Sequence, residues 1–437
     1  MQTSVNKYLF YILLLLFIYG CSSLKKEVVE EKIEEKELFQ KPRPIKKELN
    51  PGLNIKLSQL TKDKVFLNNN SNNSGNINFE TNFKKKSSYK FKKIKKFKNN
   101  QPELIFIEDK SIVFFDGKGS IFKINENLKK IWMINNYNKK EKKLNPILYF
   151  AQNGKNLIVT DNLSKLYSIN LNTGEILWSK YSLSSFNSNI KITKDKFITI
   201  DFDNVIRCFL IKNGKEVWNF QSENSFIKSE KKLSLILKDE IVFFINNLGD
   251  VTALNSIDGT LLWQTPTQSS IIYQNAFSLK NSDLVIDNDT IYFSNNKNEF
   301  FSIDRKSGIL NWKQRINSHM RPTIIGDKIF TVTEEGFLVI IDYNNGNILR
   351  ITDLFEEFTT KYILEKKPIR AKFKPVGFFV GLENIYLTTD NGRLFIIDIL
   401  TGRTNSIIKI DKEKISRPFV LNENLFIIRD DAIIKLN

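Results

Sequence analysis

The sequence of 437 residues predicts an all-β fold: an eight-bladed β-propeller of four-stranded antiparallel blades, closed by an N-terminal strand and preceded by a signal peptide and a flexible linker. Three observations predict it. Tryptophans recur at blade-sized intervals, a glycine motif accompanies them, and paired β-rich runs precede each motif. With 41% hydrophobic residues and 35 phenylalanines, the chain has enough apolar side chains for an extended β-type core.

All five tryptophans recur at a near-constant interval along the chain. They are Trp132, Trp178, Trp218, Trp263 and Trp312, separated by 46, 40, 45 and 49 residues. Repeat units of about 40 to 50 residues are typical of propeller blades. The spacing therefore favours one repeat architecture over several unrelated domains.

A glycine precedes most of these tryptophans by four residues. The pairs are Gly174 with Trp178, Gly214 with Trp218, Gly259 with Trp263, and Gly308 with Trp312. Two further copies place Arg350 after Gly346 and Ser406 after Gly402, and Asn or Asp stands four residues before the glycine in five of the six copies. An Asx side chain can begin a turn, glycine accepts the positive φ of a tight hairpin, and tryptophan offers a flat surface to the neighbouring blade.

Two short β-rich runs, separated by a polar turn, mark each blade. The paired runs are Ile112–Ile124, Leu157–Ile169, Phe197–Leu210, Ile241–Leu254, Ile291–Ile303, Ile329–Ile341, Ile385–Ile397 and Leu425–Leu436. The eighth pair lacks an outer strand, and Tyr89–Ile94 is predicted to supply it, because propellers close without an exposed edge. Seven blades stay an alternative, since Trp132 lies seven and not eight residues beyond Asn125.

The amino terminus predicts export and lipid attachment. Residues 1–20 form a predicted signal peptide, because their apolar run of about 12 residues is too short to span a bilayer. The ending IYGC resembles the lipobox of bacterial lipoproteins, which makes Cys21 the predicted acylation site. An ordinary signal peptide with an incidental cysteine is the alternative. By resemblance to the known sorting rule, Ser22 and Ser23 imply delivery to the periplasmic face of the outer membrane.

Residues 21–88 are predicted to be a lipid-anchored disordered linker, and residues 89–437 the propeller. The linker carries a dense mixture of charges and then an Asn/Ser run, neither of which can bury enough surface to fold alone. The basic run Lys84–Lys98 is either solvated linker with one edge strand or a surface for anionic lipid headgroups. The 56 residues between Gly346 and Gly402 are either a tolerated insertion or a binding loop.

Charge and reactive residues narrow the function. The net charge of +18 comes from basic residues that are mostly scattered, so we predict no nucleic-acid partner. With Cys21 acylated, Cys208 is left as a buried small residue without a disulfide partner. The single histidine, His319, argues against a His-based metal cluster and a serine triad. We therefore predict no catalytic, metal-binding or cofactor-binding residue.

From Ile112 onward the Asx-x-x-x-Gly-x-x-x-Trp unit resembles the repeat of quinoprotein propellers, which carry pyrroloquinoline-quinone-like repeats. Together with the lipobox, the chain is similar to the BamB family of outer-membrane assembly lipoproteins. The resemblance implies a non-enzymatic periplasmic scaffold without a cofactor. It also implies a monomeric propeller within a hetero-complex, docked on the barrel insertase BamA and other subunits of the β-barrel assembly machine.

Two other functions stay open. One is a propeller that binds another envelope protein or the cell wall, since a fold does not fix a function. The other is a quinone-dependent dehydrogenase. Such enzymes typically share a ring, formed by a pair of cysteines, over the cofactor and a bound calcium ion. This sequence has no adjacent cysteine pair.

Overall fold

A computed structural model describes the chain over the ranges 44–57, 79–81, 83, 85–95, 97, 102–223, 231–267, 279–356, 359–360, 369–370 and 373–437. The predicted signal peptide and Cys21 lie outside these residues. Within them, no helix combines the length and the hydropathy needed to cross a bilayer.

Eight four-stranded antiparallel sheets form the blades, which confirms the predicted fold. Strand β1 (Lys86–Lys90) belongs to blade 8. Blade 1 contains β2 (Ile105–Phe106), β3 (Ile112–Phe115), β4 (Ser120–Ile124) and β5 (Lys130–Asn135); blade 2, β6 (Leu148–Asn153), β7 (Asn156–Asp161), β8 (Lys165–Asn170) and β9 (Ile176–Tyr181); blade 3, β10 (Lys191–Thr193), β11 (Lys196–Ile200), β12 (Val205–Leu210) and β13 (Glu216–Gln221); blade 4, β14 (Leu235–Lys238), β15 (Ile241–Ile245), β16 (Val251–Asn255) and β17 (Leu261–Thr265).

The remaining blades follow in the same order, and a two-stranded sheet lies between blades 6 and 7 in the sequence. Blade 5 contains β18 (Val285–Asp287), β19 (Thr290–Asn295), β20 (Glu299–Asp304) and β21 (Leu310–Gln314); blade 6, β22 (Thr323–Ile325), β23 (Lys328–Val332), β24 (Phe337–Asp342) and β25 (Ile348–Asp353); the two-stranded sheet, β26 (Thr359–Thr360) and β27 (Ile369–Arg370); blade 7, β28 (Pro375–Val380), β29 (Asn384–Thr389), β30 (Arg393–Asp398) and β31 (Thr404–Lys409); blade 8, β32 (Phe419–Leu421), β33 (Asn424–Arg429) and β34 (Ala432–Leu436).

The two middle strands of each blade are the most buried. In blade 4, β15 reads IVFFI and β16 reads VTALN, and almost every residue of both is buried. The outermost strand has a different pattern: β9, ILWSKY, is mostly exposed apart from its tryptophan. The continuous apolar runs in the sequence thus mark the inside of each blade, and the Trp-bearing strands mark its rim.

The ring closes through β1, which pairs antiparallel with β34 as the outermost strand of blade 8. Backbone hydrogen bonds extend the pairing at both ends, from Lys85 N–H to Asn437 O (2.8 Å) and from Phe91 N–H to Asp431 O (2.9 Å). The predicted closing strand was Tyr89–Ile94, whereas the observed strand begins three residues earlier and ends at Lys90. Ile94 lies beyond the end of the strand: its N–H donates to Asp430 O (2.7 Å), and its side chain is buried in the core between blades 8 and 1. Part of the basic run Lys84–Lys98 is therefore an edge strand.

Buried apolar side chains of the described residues form eight clusters, and each cluster is shared by two neighbouring blades. The cluster that closes the ring joins Phe106 and Phe114 of blade 1 to Phe419 and Phe426 of blade 8. No single blade could bury both of its faces, so each supplies half of two cores. Hydrophobic burial between blades, rather than within them, holds the ring together.

Two parts of the predicted flexible linker contact the propeller. The sequence analysis did not predict these contacts. Leu49 pairs antiparallel with Ile351 of β25, and Ile55 N–H donates to Leu400 O (3.0 Å). Farther along, Phe79 is buried against Phe379 and Tyr386 of blade 7. The outer edge of blade 6 offers backbone partners that the composition of the segment alone does not reveal.

Candidate functional site

The Trp-Gly motif joins each of blades 1 to 5 to the next blade along the chain. The indole on an outer strand packs against the glycine of the following blade. The contacts are Trp132 with Gly174, Trp178 with Gly214, Trp218 with Gly259, Trp263 with Gly308, and Trp312 with Gly346. These glycines have φ between 64° and 79°, in the left-handed region that favours glycine. The structure thus brings the predicted repeat residues together between blades rather than within one.

The indole N–H groups add a hydrogen bond to this packing. Trp132 Nε1 donates to Leu171 O (2.8 Å), and Trp178 Nε1 donates to Ile211 O (2.8 Å). Trp218 and Trp263 make the equivalent bonds to the next blade, at 3.3 and 3.0 Å. In each case the acceptor is the residue after the position that begins the hairpin turn. One tryptophan therefore covers the turn and caps its backbone at the same time.

Arg350 takes the tryptophan position in blade 6. Its guanidinium lies over Gly402 of blade 7 and donates to Ile399 O (3.1 Å), the position equivalent to the indole acceptors. It also donates to Leu53 O and Leu400 O, so it ties the N-terminal segment to the ring. Its side chain is fully buried, and burial lowers the pKa of the guanidinium to about 10.

The first copy of the motif is one residue shorter than the others. Leu128 takes the place of the glycine, with a φ of 61°, and its N–H bonds to Asn125 O (2.9 Å). The Asn125 Oδ1 accepts from Asn127 N–H and Lys129 N–H, at 3.0 and 2.9 Å. A shorter turn accounts for the seven-residue spacing to Trp132 within an eight-bladed ring.

A second constellation lies at the propeller axis, where charged side chains precede or begin the innermost strands. We call this group the channel mouth; it consists of Glu103, Lys191, Lys231, Lys232, Asp283, Arg321 and Arg417. Lys232 Nζ of blade 4 reaches Glu103 Oε1 of blade 1 at 2.8 Å, and Arg417 Nη2 of blade 8 reaches the same oxygen at 3.2 Å. Burial opposes ionisation of Glu103, yet the two cations outweigh it and lower its pKa to about 2.

Further contacts cross the mouth between blades 4 and 6. Lys231 Nζ donates to His319 O (3.1 Å), and His319 Nδ1 lies 2.7 Å from Glu334 Oε1. Burial lowers the pKa of Lys231 to about 8 and also lowers the pKa of His319, against the opposing effect of Glu334. His319 thus belongs to a hydrogen-bonded network at the mouth.

A cleft between blades 4 and 5 adjoins the channel mouth. Its lining combines polar residues with apolar ones: Lys231, Lys232, Ser234, Asn246, Asn247, Asn281 and Ser282, and Leu233, Ile245 and Leu279. The Asn247 side chain is only 3% exposed, and neither its Nδ2 nor its Oδ1 has a hydrogen-bond partner among the described residues. Buried polar groups in proteins are usually paired, and Asn247 is one of several described residues with buried side-chain atoms that have no protein partner.

Sequence reasoning missed the channel mouth, although the sequence contains a signal for it. Glu103, Asp283, Arg321 and Arg417 each stand two residues before an innermost strand. That recurrence becomes visible only once the innermost strands are known. In the described part of the chain, no group of three or more His, Cys, Asp or Glu side chains could hold a metal ion.

The ring of eight sheets and the repeated Trp-Gly contact define an eight-bladed propeller of the pyrroloquinoline-quinone-like repeat class. Residues 117–352, more than half of the chain, match the family described as outer membrane protein assembly factor BamB. The chain belongs to this family. A search of curated protein sequences finds no match.

Solved structures share the fold at low sequence identity. BamB from Moraxella catarrhalis superposes with a TM-score of 0.61 at 15% identity, over 80% of this chain and 100% of that chain. The computationally designed Ika8 protein gives 0.57 at 12% identity, over 79% and 98%. A europium-containing methanol dehydrogenase gives 0.51 at 11% identity, over 64% and 73%. These likenesses show the fold alone.

Proposed function

We propose that the protein is a non-enzymatic scaffold of the outer-membrane β-barrel assembly machine, bound to a BamA-type insertase and aiding insertion of outer-membrane proteins. The observation that carries the proposal is the family match, which runs from blade 1 to blade 6. The closed ring supports it, because loops that are held on a rigid scaffold can be presented to partners.

The proposal includes export and anchoring. Residues 1–20 are the signal peptide, Cys21 carries the acyl chains, and the protein faces the periplasm from the outer membrane. The IYGC sequence at residues 18–21 and the family's role in outer-membrane assembly support this placement. The folded body then begins before residue 89 in the sequence, because residues 44–57 already contact blades 6 and 7. The linker between Cys21 and the folded body is correspondingly shorter.

A dehydrogenase is the competing function, because a methanol dehydrogenase shares the propeller. The sequence has only Cys21 and Cys208. It therefore lacks the adjacent cysteine pair that is typical of quinone-dependent dehydrogenases. Adding pyrroloquinoline quinone and calcium to the purified protein tests this function. A scaffold gives no quinone spectral change and no alcohol-dependent dye reduction.

Capture from detergent-solubilised envelopes tests the scaffold. The full chain with a C-terminal affinity tag is expected to recover the barrel insertase, identified by mass spectrometry. A Cys21→Ala variant serves as the matched control for anchoring: it is expected to leave the outer-membrane fraction yet still to bind solubilised insertase. Recovery of cell-wall material or of other envelope proteins, without the insertase, would replace the proposal with the second scaffold function.

A further inference from the structure

We infer that the cleft between blades 4 and 5, where it adjoins the channel mouth, binds an acidic side chain and the neighbouring backbone of a partner peptide. The inference rests on charge, on one unpaired ammonium group and on unpaired amides. It does not depend on the proposed role in barrel assembly, because it concerns the chemistry of the site and not the identity of the partner.

The channel mouth has an excess of positive charge. It contains five cationic side chains and two carboxylates, and Glu334 beside His319 adds a third carboxylate. The cations are Lys191, Lys231, Lys232, Arg321 and Arg417, and the carboxylates are Glu103 and Asp283. Glu103 is shared by two of the cations, since both Lys232 and Arg417 bond to its Oε1. An anion entering the mouth therefore meets a net positive field near low-dielectric walls.

Lys191, the first residue of β10, belongs to the channel mouth and not to the lining of the cleft. Its ammonium forms no ion pair or hydrogen bond within the described residues, although the side chain is only partly accessible. Burial, with the nearby Arg321 charge, lowers the pKa of Lys191 to about 8. Asp283 and Glu103 attract this ammonium without bonding to it, so a ligand carboxylate would add a direct partner.

The amides of the cleft extend the site beyond a simple anion hole. Asn247 leaves a buried donor, Nδ2, and a buried acceptor, Oδ1, without partners in the described part of the chain, and the Asn281 Oδ1 is a second such acceptor. Both residues line the same cleft as Lys231 and Lys232. The cleft thus offers donors and acceptors side by side.

This combination selects the class of ligand. The ammonium groups and the Asn247 Nδ2 can donate to a carboxylate, while the two Oδ1 atoms require donors. Inorganic phosphate carries one or two O–H donors at neutral pH, but they lie on the same small anion as its acceptors, whereas a peptide brings backbone N–H groups at a distance from its acidic side chain. An Asp- or Glu-containing segment of a protein therefore satisfies more of the unpaired atoms than a phosphate does.

Fluorescence anisotropy with the full chain in detergent tests the inference. The probe is a fluorescein-labelled ten-residue peptide of alternating Glu and Gly with an amidated C-terminus. We expect saturable binding that Lys191→Gln weakens by roughly tenfold, as for the loss of a hydrogen bond between charged groups. Asn247→Leu, which removes both unpaired amide atoms, is expected to weaken binding as well.

Lys194→Gln is the matched control, because Lys194 follows the opposite end of the same strand, β10, and its side chain is 77% exposed. It is expected to leave affinity unchanged, and inorganic phosphate at equal concentration is expected not to displace the peptide. Four results would each overturn the inference: no binding, equal weakening by both lysine variants, unchanged affinity in Asn247→Leu, or displacement by phosphate.

A second measurement uses the unaltered chain, so that it holds even where a variant fails to fold. Reductive methylation followed by mass spectrometry reports the accessibility of each lysine. The peptide is expected to protect Lys191 and Lys231 and to leave Lys194 reactive. Protection spread evenly over the lysines would mean general attraction to a basic protein, and the cleft would lose its assignment.

Discussion

Replacing Gly259 by alanine should separate the packing between blades from the strain of the turn. Gly259 has a φ of 79°, and a Cβ built on it would lie 2.6 Å from the Cε3 atom of Trp218. Alanine in the left-handed region costs about 1 to 2 kcal/mol. Overpacking a tight contact costs a further 1 to 3 kcal/mol, roughly. We therefore expect the free energy of unfolding to fall by about 2 to 5 kcal/mol.

Gly154 provides the matched control within the same chain. Its φ is 54°, but a Cβ there would meet nothing within 4 Å. Gly154→Ala should therefore lose only the backbone part, about 1 to 2 kcal/mol. Equilibrium urea unfolding, followed by circular dichroism and tryptophan fluorescence, measures both variants. Equal losses in the two would refute the claim that the indole contact between blades carries the difference.

Three further predictions follow from the ring and its mouth. Arg350→Ala should lower the free energy of unfolding by about 3 to 5 kcal/mol, because buried carbonyls lose a charged donor. Arg403→Ala, at a side chain that is 44% exposed, should change the free energy of unfolding by less than about 1 kcal/mol. Urea unfolding compares the two variants. Ser87→Pro should lower the free energy of unfolding by about 3 kcal/mol, since the backbone bonds at Lys85 and Phe91 place the Ser87 N–H toward β34. Ser88→Pro should lower it clearly less, because the Ser88 N–H faces outward. A similar loss in both variants would contradict this register. The folded pKa of Glu103, about 2, lies below its ordinary value of 4.5, so the ionised Glu103 stabilises the fold above about pH 4.5 and this contribution is lost as the pH falls toward 2. Glu103→Gln should therefore flatten that part of the pH profile of thermal unfolding. An unchanged profile would show that the ion pairs of Glu103 do not contribute to this pH dependence.

The blade count could be predicted because the motif is periodic and local. Each hairpin turn needs a residue that tolerates positive φ, and the flat indole needs a glycine opposite it. The glycine therefore recurs in blades 2 to 7 and the tryptophan in blades 1 to 5. The shortened turn at Leu128 disturbs the spacing without disturbing the pairing, since β5 still joins β4 with the same shift in register beside Trp132. Local chemistry thus determines the fold even where the motif varies.

The contacts of the N-terminal segment could not be predicted in the same way. Residues around Leu49 are charged and rich in proline, and the edge of β25 supplies the backbone hydrogen-bond partners of Leu49. Phe79 is likewise buried by Phe379 and Tyr386, some 300 residues away in the sequence. Single-sequence patterns report local preference, whereas these contacts depend on the finished ring.

Stability and binding are assigned to opposite ends of the blade strands. In a four-stranded meander, the Asx-Gly turns between the third and fourth strands lie at one end, and the residues that lead into the first strand lie at the other. The turn end carries the indole contacts, which lower the energy of the folded ring. The other end carries a half-buried Lys191 whose pKa is lowered to about 8 and an Asn247 with unpaired atoms, both of which raise that energy. Groups that cost stability in the free protein gain most from a ligand that pairs them, so the channel mouth is the end of the ring on which a partner of opposite charge is expected to bind.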